Sequence, residues 1–259
     1  MSSLVARRRH PAAIAVVLLL GLILTGGLYA AFAPKNADAA SGDTQAVAAG
    51  HNLFLANCAT CHGLEAAGGD GGPSLVGVGA AAVDFQVGTG RMPLANPAVQ
   101  ARQGKVQFSS EEISQLAAYV ASLGVGPGIP PSSLTSGGGD IAKGGELFRV
   151  NCAMCHNFAG SGGALTRGKF APSLMDVSGR HMYEAMLTGP QSMPVFNNSN
   201  LSPQDKKDII SFLQNVKTEP SPGGWSLGNL GPVPEGLFAW TFGIGVLILI
   251  AIWLGKKAA

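Results

Sequence analysis

The chain has 259 residues, a formal net charge of +2, and only 12% charged residues against 46% hydrophobic ones. So little charge points to membrane segments, unusually neutral domains, or both. It also argues against nucleic-acid binding, because the basic runs Arg7–Arg9 and Lys256–Lys257 sit at the two ends and no basic block lies between them.

The first element is an uncharged, mostly apolar run of 22 residues at 12–33, about 33 Å long as a helix against a hydrocarbon core of about 30 Å. Segment 1–35 is expected to be a transmembrane helix or a signal peptide. The run exceeds the usual signal core of about 7–15 residues, and Gly21, Gly26 and Gly27 suit helix packing. Against retention, Ala31-Phe32-Ala33 and Ala37-Asp38-Ala39 both carry the small-residue spacing of a cleavage site.

The middle of the chain repeats itself. Gly50, Leu53 and Phe54 match Gly144, Leu147 and Phe148 at one offset, and Asn57-Cys58 matches Asn151-Cys152. Further on, Pro73-Ser74-Leu75 matches Pro172-Ser173-Leu174, and Thr89-Gly90 before Met92-Pro93 matches Thr188-Gly189 before Met193-Pro194. Ser109-x-x-Glu112 and Ser202-x-x-Asp205 then each open an amphipathic run as a capping box, the second with Pro203 at the first helical position. Leu116, Tyr119 and Val120, like Ile209, Phe212 and Leu213, recur at helical spacing. The order predicts an all-α fold of two tandem domains, 44–124 and 140–218. Gly-, Pro- and Ser-rich linkers at 125–139 and 219–235 flank the second copy. A C-terminal apolar segment, 236–254, carries Trp240 and Trp253 near its ends and is followed by Lys256–Lys257, which reads as a transmembrane helix with a cytoplasmic end.

All four cysteines fall in two motifs, Cys58-Ala-Thr-Cys61-His62 and Cys152-Ala-Met-Cys155-His156. Cys-x-x-Cys-His is the attachment pattern for haem c: two thioether bonds hold the porphyrin and the adjacent His ligates its iron. A redox dithiol and half a zinc site are the alternatives for one copy. Two copies in a duplicated domain, each with a downstream Met-Pro, favour two covalent haems. Met92 is the only methionine between Cys61 and Met154, so the first domain offers one sixth ligand. The second offers Met175, Met182, Met186 and Met193, of which Met193 alone matches the repeat, with His181 as a rival. The expected axial sets are His62/Met92 and His156/Met193. Pro73 and Pro172 are the expected carbonyl partners of the two imidazoles. Arg91 and Arg180 are candidates to pair with haem propionates, and His10 and His51 have no assigned role.

Each repeat resembles a class I cytochrome c in its Gly/Phe first helix, Cys-x-x-Cys-His, Pro-x-Leu, Met-Pro loop and aromatic last helix. Two such domains followed by one membrane helix resemble the dihaem cytochrome c subunit of the menaquinol–cytochrome c reductase of actinobacterial respiratory chains. That resemblance implies an extracytoplasmic electron carrier in the cell membrane with no substrate chemistry of its own. Its partners would be the cytochrome b and Rieske iron–sulfur subunits and a terminal cytochrome c oxidase with a copper-A centre. The rivals are a dihaem enzyme such as a peroxidase or thiosulfate dehydrogenase, a cbb-type oxidase subunit, and a stand-alone tethered carrier. Six acidic residues against three basic ones at 43–126, and seven against eight at 140–219, make the second domain the expected oxidase-facing one, with Lys206 and Lys207 as candidate docking charges.

Overall fold

The computed structural model of the chain describes residues 11–32, 44–96, 98–219, 227 and 232–258. Arg7–Arg9, His10, Ala33, the site Ala37-Asp38-Ala39 and most of the stretch 219–235 lie outside these described residues. Helix α1, Pro11–Phe32, is a separate unit with apolar, mostly exposed side chains along Ala12–Leu28.

Each copy is framed by two crossing helices, α2 (Thr44–Asn57) with α5 (Ser110–Ser122) and α7 (Ile141–Asn151) with α10 (Pro203–Thr218). Glycine is required at both crossings. A Cβ on Gly50 would overlap the carbonyl oxygen of Gln115, and one on Gly144 would overlap that of Asp208. Two backbones can approach this closely only where no side chain intervenes. Next to each crossing an aromatic pair closes the core: Phe54 with Tyr119 at 5.2 Å between ring centroids, and Phe148 with Phe212 at 5.5 Å. Phe54 and Phe148 are fully buried. Both capping boxes form, Ser109 with Glu112 and Ser202 with Asp205, so α5 and α10 begin where the sequence places them. Each box satisfies two backbone N–H groups that a helix start leaves unpaired.

Short helices carry the motifs: α3 (Ala59–His62) after α2, and α8 (Ala153–His156) after α7. A further helix in each copy precedes the Met-Pro loop, α4 (Ala80–Gly88) and α9 (Gly179–Thr188). The copies differ in length at three places, the Met-Pro following its Thr-Gly two residues later in the second copy. The loop from the motif His to the Pro is five residues longer in the second copy. The extra residues form an antiparallel ribbon, β1 (Gly163–Ala164) with β2 (Phe170–Ala171), the one strand pair in an otherwise helical fold among the described residues. The loop from the Met-Pro to the last helix is eight residues longer in the first copy. These two insertions meet. The Gln100 side chain donates to the Phe170 carbonyl at 2.8 Å and accepts from the Phe170 N–H at 2.9 Å, and Arg102 lies 5.2 Å over the Phe170 ring. A side-chain amide thus pairs with the backbone of β2 as a neighbouring strand would.

Helices α4 and α9 pack on each other beside this junction. The stretch 125–139 does more than span a gap. It carries a helical turn, α6 (Ser132–Thr135), and its ends are stitched down, with Ala81 donating to the Pro127 carbonyl at 3.0 Å and Gly139 donating to Ser211 at 2.8 Å. At the C-terminal end, Val233–Lys257 is a continuous apolar helix of 25 residues, about 37 Å long and sufficient to cross a hydrocarbon core. It includes a π-helical stretch at Ala239–Ile244. It is the one helix of that length and apolarity among the described residues; of the N-terminal helix, only Ala12–Leu28 reads as a shorter apolar run, so a second span is not shown.

Candidate haem sites

The two motifs fold identically. Cys58 and Cys152 donate to the carbonyls of Phe54 and Phe148, so each motif begins as α2 or α7 ends. His62 and His156 then donate backbone N–H bonds to Cys58 and Cys152 at 3.0 and 2.9 Å, closing one helical turn that sets both cysteines and the His together. Downstream, Leu75 donates to Ala66 and Leu174 donates to Gly160, folding each Pro-x-Leu back beneath its motif.

This fold-back delivers the carbonyls that orient the imidazoles. His62 Nδ1 donates to the Pro73 oxygen at 2.7 Å, and His156 Nδ1 donates to the Pro172 oxygen at 3.0 Å. With the proton on Nδ1, the Nε2 lone pair is left free to bind a metal. Burial lowers the His156 pKa, with the Pro172 bond opposing.

In the second copy Cys152, Cys155, His156 and Met193 all line one cavity of about 350 Å³. Its walls are mostly apolar, with Phe148, Leu174, Phe196, Ile209 and Leu213 among them. In the first copy Cys58 and Met92 pack against a single cluster around Phe54, Val83, Val87 and Tyr119. Cys61 is exposed and His62 half-buried beside it. These surroundings fit a haem: an apolar slot, two thiols on one turn, an imidazole with its metal-binding nitrogen free, and a half-buried thioether. Met182 and Met186 are buried in the second core and also line this cavity, and Met175 packs at the same margin of the core as Met193.

The environment disfavours the alternatives for the cysteines. Burial, with Cys155 nearby, pushes the Cys152 thiol up to about 12, and burial raises Cys58 as well. Redox-active thiols need the reverse shift. Among the described residues no His or carboxylate joins either cysteine pair in a metal-ligating cluster.

His181 lines the second cavity, but its Nε2 stands 3.8 Å from Asp84 Oδ2 and its ring meets Phe85 edge-on at 6.1 Å. It therefore belongs to the domain junction. His51 stacks obliquely on Tyr119 at 4.9 Å. Arg180 is committed to Asp84 and Glu184. Lys206 corrects an expectation: it is fully buried, with Nζ donating to the Leu201 carbonyl at 2.6 Å and to Asn198 at 3.0 Å. It cannot be a docking charge; Lys207 is half-buried.

Sequence reading missed the walls that the first domain contributes to the second site. Phe85, Gly88, Thr89, Arg91 and Gln100 all line the cavity that holds His156 and Met193. The unequal loop lengths were the available signal.

Two segments, 45–120 and 139–213, match the family model described as cytochrome c oxidase, cbb3-type, subunit III. They coincide with the two copies, so the chain carries two haem c groups. The cbb3-type subunit FixP of Sinorhizobium medicae is 32% identical over 146 residues, covering 51% of this chain and 45% of that one. The likeness to another group is closer and longer. The cytochrome bc1 complex cytochrome c subunit of Corynebacterium efficiens is 44% identical over 268 residues, covering 96% of this chain and 90% of that one. Its namesake from Mycobacterium tuberculosis is 42% identical over 252 residues, covering 94% and 90%. With its duplicated haem domains and C-terminal apolar helix, the chain belongs to the family of cytochrome bc1 complex cytochrome c subunits.

Proposed function

We propose that this protein is the electron-transfer subunit of a quinol–cytochrome c reductase, a membrane-anchored dihaem cytochrome c working in the respiratory chain. The observation that carries the reading is that the second haem site is walled by the first domain, so the two centres form one joined conductor. Cys58 and Cys61, and Cys152 and Cys155, would hold the two haems, with His62 and Met92, and His156 and Met193, as the residues that would bind iron. Iron ligated by His and Met supplies one-electron chemistry at a raised potential and has no open coordination position for a substrate. The chain's own part is to orient each imidazole through a proline carbonyl, keep water off the porphyrin faces, and hold the sites at a fixed separation.

The haem domains lie on the extracytoplasmic side, with Lys256–Lys257 cytoplasmic by the positive-inside rule. The first domain receives electrons from the Rieske iron–sulfur centre beside cytochrome b. The second delivers them to the copper-A centre of a terminal oxidase in the same supercomplex. The relatives' printed name supports the reductase, and the more basic second domain supports the direction. The N-terminal helix is a second anchor.

Purification in mild detergent tests the assignment. Co-purification with cytochrome b, an iron–sulfur protein and an oxidase is the expected result; isolation alone with full activity as a carrier would overturn it. Carbon monoxide should not bind the reduced protein. Stoichiometric binding would reveal an open iron and favour a dihaem enzyme.

A further inference from the structure

We propose that Arg91, a side chain of the first domain, binds a propionate of the haem held by the second. The inference rests on the reading of Cys152, Cys155, His156 and Met193 as that haem's site. Arg91 is 8% exposed, yet no carboxylate pairs with it among the described residues. Its guanidinium lies 4.8 Å over the Phe85 ring, a face that orients the group without neutralising it. Arginine stays protonated in proteins, so a buried guanidinium needs an anion close by.

The cavity supplies the place for one. Arg91 lines it together with His156 and Met193. The propionates are the anionic substituents of a haem, and the guanidinium fork matches a carboxylate with two parallel hydrogen bonds. Arg180, the other candidate, is already engaged with Asp84 and Glu184.

Local geometry separates Arg91 from the site it neighbours in sequence. The N–H groups of Arg91 and Met92 both bond the Gln86 carbonyl, at 2.9 and 3.0 Å. From that shared anchor Met92 packs into the first core, whereas Arg91 lines the second cavity. The inserted loop secures the arrangement through Gln100 on Phe170 and through Ala101, whose N–H meets Gln191, two residues before Met193. One loop of the first domain thus carries the sulfur proposed for one iron and the cation for the other haem. A cation at a propionate favours the reduced, less positive iron, so Arg91 raises the potential of the second haem.

The test is a spectroelectrochemical titration of the full-length protein in detergent. Met92→Ala and Met193→Ala assign the two waves, each variant moving one of them; if neither moves a wave, the ligand reading fails and the proposal with it. With the waves assigned, Arg91→Gln should lower the potential of the second haem. The expected shift is about tenfold in its Fe(III)/Fe(II) ratio at fixed potential, equivalent to about 59 mV for one electron. Arg91→Lys, which keeps the charge and loses the fork, should move the same wave by less. Should Arg91→Gln not mature with two haems, Arg91→Lys is read alone in the same sense. A shift confined to the first wave, or no shift in either, overturns the proposal.

Discussion

Arg180 Nη2 on α9 lies 2.6 Å from Asp84 Oδ1 on α4, so an ion pair joins side chains 96 positions apart across the domain junction. The same guanidinium meets Glu184 Oε1 through Nε at 3.3 Å. Asp84 is 6% and Glu184 0% exposed, and only the arginine opens toward water. Removing it would leave two buried carboxyl groups without their shared cation. Arg180→Ala should therefore loosen the junction by about 1–3 kcal/mol, the usual cost of leaving a buried polar group without its partner. Differential scanning calorimetry of Arg180→Ala should show a lowered and broadened unfolding profile; an unchanged profile would mean the pair contributes nothing.

Glu184 makes the junction sensitive to pH. Burial first, and then the hydrogen bond and charge of Asp84, push its carboxyl up to about 9, with Arg180 pulling the other way. An acid whose pKa rises on folding holds its proton in the folded state after the unfolded chain has released it. Its contribution is fully present below the ordinary value of 4.5, declines as pH rises, and is lost above about 9. Denaturant midpoints should fall between pH 5 and pH 9, and Glu184→Gln, which cannot ionise, should flatten that slope. A variant as pH-sensitive as the native protein would place the effect elsewhere.

The axial methionines give a spectroscopic prediction. Met92→Ala and Met193→Ala should each abolish half of the near-infrared sulfur-to-iron band and leave the haem content at two per chain, since the thioethers of the cysteines are untouched. An undiminished band in Met193→Ala would return the ligand role to Met175, Met182, Met186 or His181.

How much of this was legible in the sequence depends on the distance over which each feature acts. The motifs, the capping boxes and the proline carbonyls are local patterns, and the repeat states each one twice. The crossing glycines could be aligned as Gly50 and Gly144, although only the structure shows the carbonyl oxygens that exclude a Cβ there. Beyond the unequal loop lengths the junction was not legible, because Gln100 meets Phe170 across 70 positions. Lys206 misled for a related reason: a lysine in an amphipathic helix reads as surface. Here Asn198 and the Leu201 carbonyl accept its ammonium inside the fold.

The helix crossings predict a domain-specific failure. In Gly50→Ala the new methyl would overlap the Gln115 carbonyl, and in Gly144→Ala that of Asp208. Neither obstacle is the tip of a flexible side chain, so the helices must move apart. Overpacking of this kind costs about 1–3 kcal/mol and more where backbone must shift. The first haem site should suffer in Gly50→Ala and the second in Gly144→Ala, because Phe54 and Phe148 sit one turn beyond each glycine and lead directly into Cys58 and Cys152. Redox titration of each variant should find one haem wave diminished or shifted and the other intact. Equal damage to both waves from either substitution would show that the two domains fold as one cooperative unit.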